Sequence, residues 1–425
     1  MAGRGDLRPN HDWLYRGITL QGWAQVFVPA ETMQVSFFPK SFLLTVVELV
    51  VSANGFSCQA EGGVRMPVSV RLLSKFARLG ASSRLRMLQY LPSLDQLGIA
   101  VDHHPLLPDA YVKALHEDRP YASRMLAGRH YVKRIRELRR TDTGDLDWVE
   151  GELLPFLPRS FEKAFMRGHR PYIAEYDDAL FHRYDLSSNA AVRSMLGNKV
   201  DAVMRDAACV IAGNRYLAER AQRAGAARVE VIPTVVDAAR YAPIVHRERQ
   251  RLVIGWIGSP VTQHYLHALH QPLREICARH NALLRLVGAR ADIAEHLPGV
   301  PLECVPWTEE EEAALISGMD VGIMPLLDGP FERGKCGYKL VQYMACGLPV
   351  LASPIGVNSD LVMPDVNGFL PVGPNDWVDT LSLLLSNVEV RQRLGMAGRL
   401  RVETELSIQV QAPRLAEIMH GVAGR

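Results

Sequence analysis

The sequence has no Cys-x-x-Cys pair; its six cysteines (Cys58, Cys209, Cys277, Cys304, Cys336 and Cys346) stand singly, with no histidine cluster beside them. A zinc site at Cys336 and Cys346 would lack its other two tetrahedral ligands, and a disulfide framework is not expected in a long chain rich in core residues. The cysteines are read as reduced, mostly buried small hydrophobes. Long apolar runs are missing too. None reaches 18 residues, so no spanning helix is predicted. The longest candidate, FLLTVVELVV at 42–51, carries Glu48 and begins too deep for an ordinary signal peptide. Charge bias is small: a net charge of +2 argues neither for nor against an acidic partner, and nucleic acid is not an expected one. No Gly-x-Gly-x-x-Gly follows the first strand of either half with an acid some twenty residues on, which argues against a Rossmann oxidoreductase. Finally, GKCGYKLVQYMACGLPV at 334–350 holds two lysines and no acid.

What is present is alternation. At 425 residues two or three domains are expected. Residues 1–65 sustain no period and read as an upstream extension or a misplaced translation start, against the weaker reading of a membrane-associating leader. From Met66, strands such as SVRLL, IAVDHHPLL and AACVIAGN alternate with helical stretches. SSRLRMLQYLPSLDQLG is read as one helix with Leu85, Leu88, Leu91 and Leu94 on its apolar face. Residues 241–250 read as a linker, and a second series runs from LVIGWIG to GFLPV. The class is therefore α/β, two doubly wound halves with a cleft between them. A terminal helix should face Leu415, Ile418 and Met419 inward, with Pro413 starting or kinking it.

In DVGIMPLLDGPFERGKCGYKL a buried strand leads through a Gly/Pro loop to a helix starting near Tyr338. Backbone N–H groups at that helix start, with Lys335 and Lys339, fit a diphosphate better than a metal. Lys339, Gln342, Tyr343 and Cys346 share one stripe, which would face the cleft; an ordinary sheet-packed helix with two solvated lysines is the competing reading. Ser82, Ser83, Arg84 and Arg86 open the first helix and could hold an anion, or be surface residues of a capped helix. WTEEEEAALI reads as a capping box on Thr308 and Glu311 that needs no metal. RMLAGRHYVKRIRELRR at 124–140 is a basic helix, read as a solvated face or as peripheral contact with an anionic membrane.

Residues 322–362, GIMPLLDGPFERGKCGYKLVQYMACGLPVLASPIGVNSDLV, resemble the donor-binding segment of glycosyltransferase family 4. Weaker matches at 82–99, 152–158, 176–181, 210–221, 231–237 and 254–260 extend the resemblance over most of 66–425. It implies a GT-B fold: two Rossmann-like domains facing a central cleft, 66–245 on the acceptor side and 246–403 binding nucleotide sugar, with a helix in 404–425 crossing back. It implies retaining, metal-independent transfer from a nucleotide sugar, needing no cofactor, to a glycan, lipid-linked or small-molecule acceptor. The implied setting is cytoplasmic or peripheral on the inner membrane face.

By that resemblance Gly258 and Ser259 lie near the donor phosphates. Gly334, Lys335, Cys336, Gly337 and Tyr338 cradle the diphosphate beside Lys339. Gln342 meets the ribose, and the backbone at Val305 meets the base. The sequence departs from the family twice. Many relatives carry two glutamates eight positions apart; here those positions are Gly334 and Gln342, and Glu332 is two residues off register. A neutral in place of a charged hydrogen bond should weaken donor binding by roughly tenfold. Many relatives also carry a histidine where Asp177 stands, followed here by Asp178. These acids are expected to orient an acceptor hydroxyl or stabilise developing positive charge, with an Asx turn or helix cap as the alternative. Glu152 is placed on the acceptor side. Loss of the glutamate pair keeps open a non-catalytic sugar-nucleotide-binding subunit.

Overall fold

Strands buried on both faces belong to parallel sheets covered by helices, and the computed structural model, which describes residues 67–116, 120–140, 144–166 and 170–424, contains two of them. The expectations for 1–65 and for Cys58 concern residues outside that set. The first sheet holds β1 (Val68–Leu73), β2 (Ile99–His103), β3 (Leu146–Glu150), β4 (Tyr172–Tyr176), β5 (Cys209–Ala212) and β6 (Val229–Val231) in the order β2-β1-β3-β4-β5-β6. The second holds β7 (Val253–Ile257), β8 (Leu283–Val287), β9 (Leu302–Val305), β10 (Val321–Met324), β11 (Val350–Ala352) and β12 (Gly368–Phe369) in the order β12-β11-β10-β7-β8-β9. Pairing is parallel throughout, as in Val70↔Leu146 and Ile254↔Leu284. Each strand overlaps a segment expected from the sequence, β1 starting one residue before SVRLL.

The orders put a topological switch between β1 and β3 in one sheet and between β7 and β10 in the other. Crevices beyond the carboxyl ends of strands at such points are where open α/β sheets bind ligands. The loops after β7 and β10 contain Gly258 and Lys335; those after β1 and β3 contain Lys75 and Glu152.

The terminal helix Ile408–Ala423 packs Ile408, Leu415, Ile418 and Met419 against Val68, Leu72 and Trp148 of the first sheet, so it crosses back as expected. Pro413 lies inside this helix on its exposed side and does not start it. The 241–250 linker is mostly exposed but anchored at its start: Tyr241 is buried and Ile244 N donates to Cys346 O at 2.9 Å.

The 82–96 stretch is not one helix. Helix Ala81–Arg86 ends, a 3-10 turn covers Leu88–Tyr90, and Leu91–Gln96 restarts with Pro92 in its first turn. Proline lacks the N–H and crowds the carbonyl four residues back, so the earlier turns tighten and break. In helix Pro120–Leu138 Leu138 is buried and Ile135 half-buried, but Val132 is exposed. Arg134, one of the basic residues of this helix, is buried and donates to Ser74 O at 2.9 Å and His104 O at 2.7 Å. Among the described residues no helix is long and apolar enough to cross a membrane.

Candidate functional site

The carboxyl ends of the two sheets meet through the loop after β10. Asn214 Nδ2, just past β5, donates to Gly334 O at 2.8 Å and Lys335 O at 3.0 Å. The Cys336 thiol reaches Asp177 O at 3.0 Å and is packed in the core of the first sheet. A Cβ on Gly334 would stand 2.5 Å from the Ala179 Cβ, so only glycine permits this approach. The Cys336 side chain therefore ties the two halves together, in keeping with the packing role read for the cysteines.

Lys335, half-buried, stands opposite Asp177 and Asp178 just past β4. Burial and the Asp177 charge raise the Asp178 carboxyl to about 7, while Lys335, Arg183 and Lys75 pull the other way. Gly337 caps helix Tyr338–Ala345 with φ +67°, a left-handed conformation that glycine adopts freely. The next turn carries Lys339, whose Nζ lies 4.4 Å from the Trp256 ring centroid and 3.5 Å from Thr262 Oγ1. Burial, helped by Lys335, lowers its amine to about 7. A diphosphate beside it would restore the full positive charge. The loop after β7 closes over this amine: a Cβ on Gly258 would fall 2.8 Å from Lys339 Nζ, and Ser259 is exposed at its edge. Val305 ends β9 beside that loop, its carbonyl accepting from Gly288 N at 2.9 Å. Lys335, Lys339, Gly258, Ser259, Gly337, Asp177 and Asp178 thus gather around one cleft.

The rest of the expected stripe is buried. Tyr343 OH accepts from Ile257 N at 2.9 Å and donates to Ile323 O at 3.3 Å, joining β7 to β10. Cys346 is fully buried. Gln342 donates through Nε2 to Tyr241 OH at 3.2 Å, and Tyr241 OH donates to Glu312 at 2.8 Å. Half-buried Tyr338 hydrogen-bonds Tyr241. Helix 338–345 is buried on nearly every side because neighbouring helices cover the face the sheet leaves open.

Three acceptor-side expectations are corrected. Ser83 is buried and donates to Glu150 Oε2 at 2.6 Å, and Ser82 also hydrogen-bonds Glu150. Both hydroxyls are thus engaged by a carboxylate. Arg84 lies over the Trp307 ring at 4.8 Å and donates to Arg78 O, while Arg86 pairs with buried Glu175. Glu152 turns into the first domain. It accepts from Tyr184 OH at 2.8 Å and pairs with Lys199 Nζ at 2.6 Å, and the same amine reaches Glu162 at 3.1 Å. Removing Lys199 would leave the buried Glu152 carboxylate without a cation, while Glu162 keeps Arg159 at 2.9 Å. Lys199→Ala should therefore cost about 3–5 kcal/mol, read from its urea unfolding midpoint; an unchanged midpoint would refute this account of Glu152.

Glu150 and Glu312 are acids that pattern reading missed, and Glu332, off register in the sequence, is a third with a defined partner. Glu150 accepts from Lys75 N at 2.7 Å, and its carboxyl is pushed up by burial. Glu332 accepts from Tyr265 OH, and Tyr265 is close enough to Asp178 to feel its charge. Glu312 does not serve the expected cap. Thr308 Oγ1 accepts from Glu311 N at 3.2 Å, whereas Glu312 is buried and also accepts from Trp307 Nε1 at 3.0 Å. A separate cavity of about 370 Å³ is lined by Arg71, Asp147, Arg159 and Asp206 among others. Its arginines are already paired, Arg71 with Asp147 at 2.7 Å and Arg159 with Asp206 at 3.2 Å.

Residues 251–387 match the family model described as "Glycosyl transferases group 1". A D-inositol 3-phosphate glycosyltransferase of Paenarthrobacter aurescens (strain TC1) is 29% identical over 116 residues, 27% of this chain and 26% of that protein's length. The chain therefore aligns with about a quarter of that curated relative. Sucrose-phosphate synthase from Thermosynechococcus elongatus superposes with a TM-score of 0.62 at 16% identity, over 85% of this chain and all of that one. Anabaena Alr3699/HepE, solved in complex with UDP-glucose, gives 0.58 at 14% identity, over 83% of this chain and all of that one. The two-sheet GT-B fold expected from the sequence is thereby shown.

Proposed function

We propose, from the premise that residues 251–387 form a group 1 glycosyl transferase domain, that this chain transfers a sugar from a nucleotide-sugar donor to an acceptor held by the first domain. One observation carries the reading. Lys335 and Lys339 stand at the N-terminal turn of helix Tyr338–Ala345, at the second sheet's switch point, and the Lys335 charge reaches Asp178 across the domain boundary. Cations and a helix N-terminus suit the diphosphate of the donor, and they stabilise it most as the glycosidic bond breaks and the leaving group gains charge. These charges, in place of a metal, offset the leaving group in this reading, and the anomeric configuration is retained. Ionised Asp178 then orients the acceptor hydroxyl or opposes positive charge developing on the sugar.

A UDP-sugar is the first donor to try, since a structural neighbour was solved with UDP-glucose. The name of the curated relative brings a phosphorylated polyol into the acceptor panel beside glycans and lipid-linked sugars. Thermal-shift measurements against UDP-, GDP-, ADP- and dTDP-sugars test donor recognition. The true donor at about 100 times its Kd should stabilise the protein by about 2.7 kcal/mol. A panel in which nothing raises the melting temperature would overturn the reading.

A further inference from the structure

The buried group around Gln342 has a direction. Trp307 Nε1 can only donate, and it occupies one oxygen of Glu312 at 3.0 Å. Tyr241 OH occupies the other at 2.8 Å, and Arg240 approaches that same oxygen at 3.8 Å. Having given its proton to Glu312, the Tyr241 hydroxyl can only accept from its other two partners, Tyr338 and Gln342, whose Nε2 lies at 3.2 Å. Whether an amide presents its N or its O to a neighbour is settled by such networks. Here the Glu312 carboxylate settles it. Glu312, Tyr241 and Gln342 are 3%, 2% and 2% exposed, so water does not compete for these bonds. Arg84 of the first domain lies over the Trp307 ring, joining the chain to the domain contact.

We infer that Glu312 is a positioning residue which, through Tyr241, locks the Gln342 amide with its carbonyl oxygen turned to the cleft as an acceptor for a ribose hydroxyl of the donor. The inference rests on the nucleotide-sugar reading and deepens it. The missing acid of helix 338–345 is not simply lost. A carboxylate sits two hydrogen bonds behind the amide and gives a neutral side chain a fixed acceptor polarity. In Glu312→Gln the new amide can donate to Tyr241, the hydroxyl can turn its proton round, and the Gln342 amide is free to flip. In Tyr241→Phe the relay is cut while the ring remains.

The test is titration calorimetry of UDP, GDP and ADP, each against its 2′-deoxy and 3′-deoxy counterparts. Wild type should prefer at least one ribonucleoside diphosphate over a deoxy form by about tenfold. Glu312→Gln and Tyr241→Phe should lose that preference while binding the deoxy form as wild type does. Gln342→Glu alone should also bind poorly, because two carboxylates would compete for one Tyr241 proton. The double variant Glu312→Gln/Gln342→Glu should regain the preference, a rescue that a merely structural role would not give. Retention of the preference in Glu312→Gln and Tyr241→Phe would overturn the inference alone. Wild type that binds none of these nucleotides would overturn the functional reading, and the inference with it.

Discussion

Lys335→Ala should lower turnover with the true donor by about 10²–10³-fold, the usual cost of deleting one charge-stabilising group from a transferase or hydrolase site. The size follows from what else is present. Lys339 does not replace it, because its amine is held a turn further on, over the Trp256 ring and beside Thr262, and serves the diphosphate from that side only. Lys335 is half-buried, so its removal leaves no cavity in the core and stability should hardly change. The loss should fall mainly on kcat, since charge on the leaving diphosphate grows towards the transition state. Steady-state kinetics on a folded variant checks this; unchanged turnover would remove Lys335 from the site.

Asp178→Asn should make the protein more stable and less active. The Asp178 carboxyl titrates at about 7 in the fold, against an ordinary 3.8. The folded chain therefore holds this proton more tightly than the unfolded chain. The associated stability is present at low pH and is lost as pH rises towards and through 7. Asparagine avoids that loss. At pH 8 the variant should melt at least ~2 °C above wild type, and at pH 4 the gain should be nearly gone. Activity should move oppositely. Wild-type transfer should rise with pH through about 7 as Asp178 ionises, and the variant should lack that limb. A variant less stable at pH 8, or one keeping the limb, would contradict this assignment.

The strands were legible because buried runs such as VIGWI can hardly be anything else, and Tyr338 was legible as a helix start because glycines and a charged loop precede it. Ser83 and Glu152 were misread for one reason. Their partners, Glu150 and Lys199, are distant in sequence, and only the folded sheet brings them together. Glu312 was hidden in a run of four glutamates that reads as a solvated helix start. A clue was available, because Glu312 and Ile316 lie one turn apart on the same face and both are buried. The Cys336 contact with Asp177 joins two domains, which no local pattern encodes.

Breakage of a sugar–diphosphate bond in the cleft is measured most directly by release of nucleoside diphosphate. Incubated in turn with UDP-, GDP-, ADP- and dTDP-sugars, the wild-type protein should release the diphosphate of one donor, slowly alone and faster with an acceptor, and Lys335→Ala should release almost none. Tight binding of a nucleotide sugar with no release under any condition would contradict the account and leave a sugar-nucleotide-binding subunit in its place.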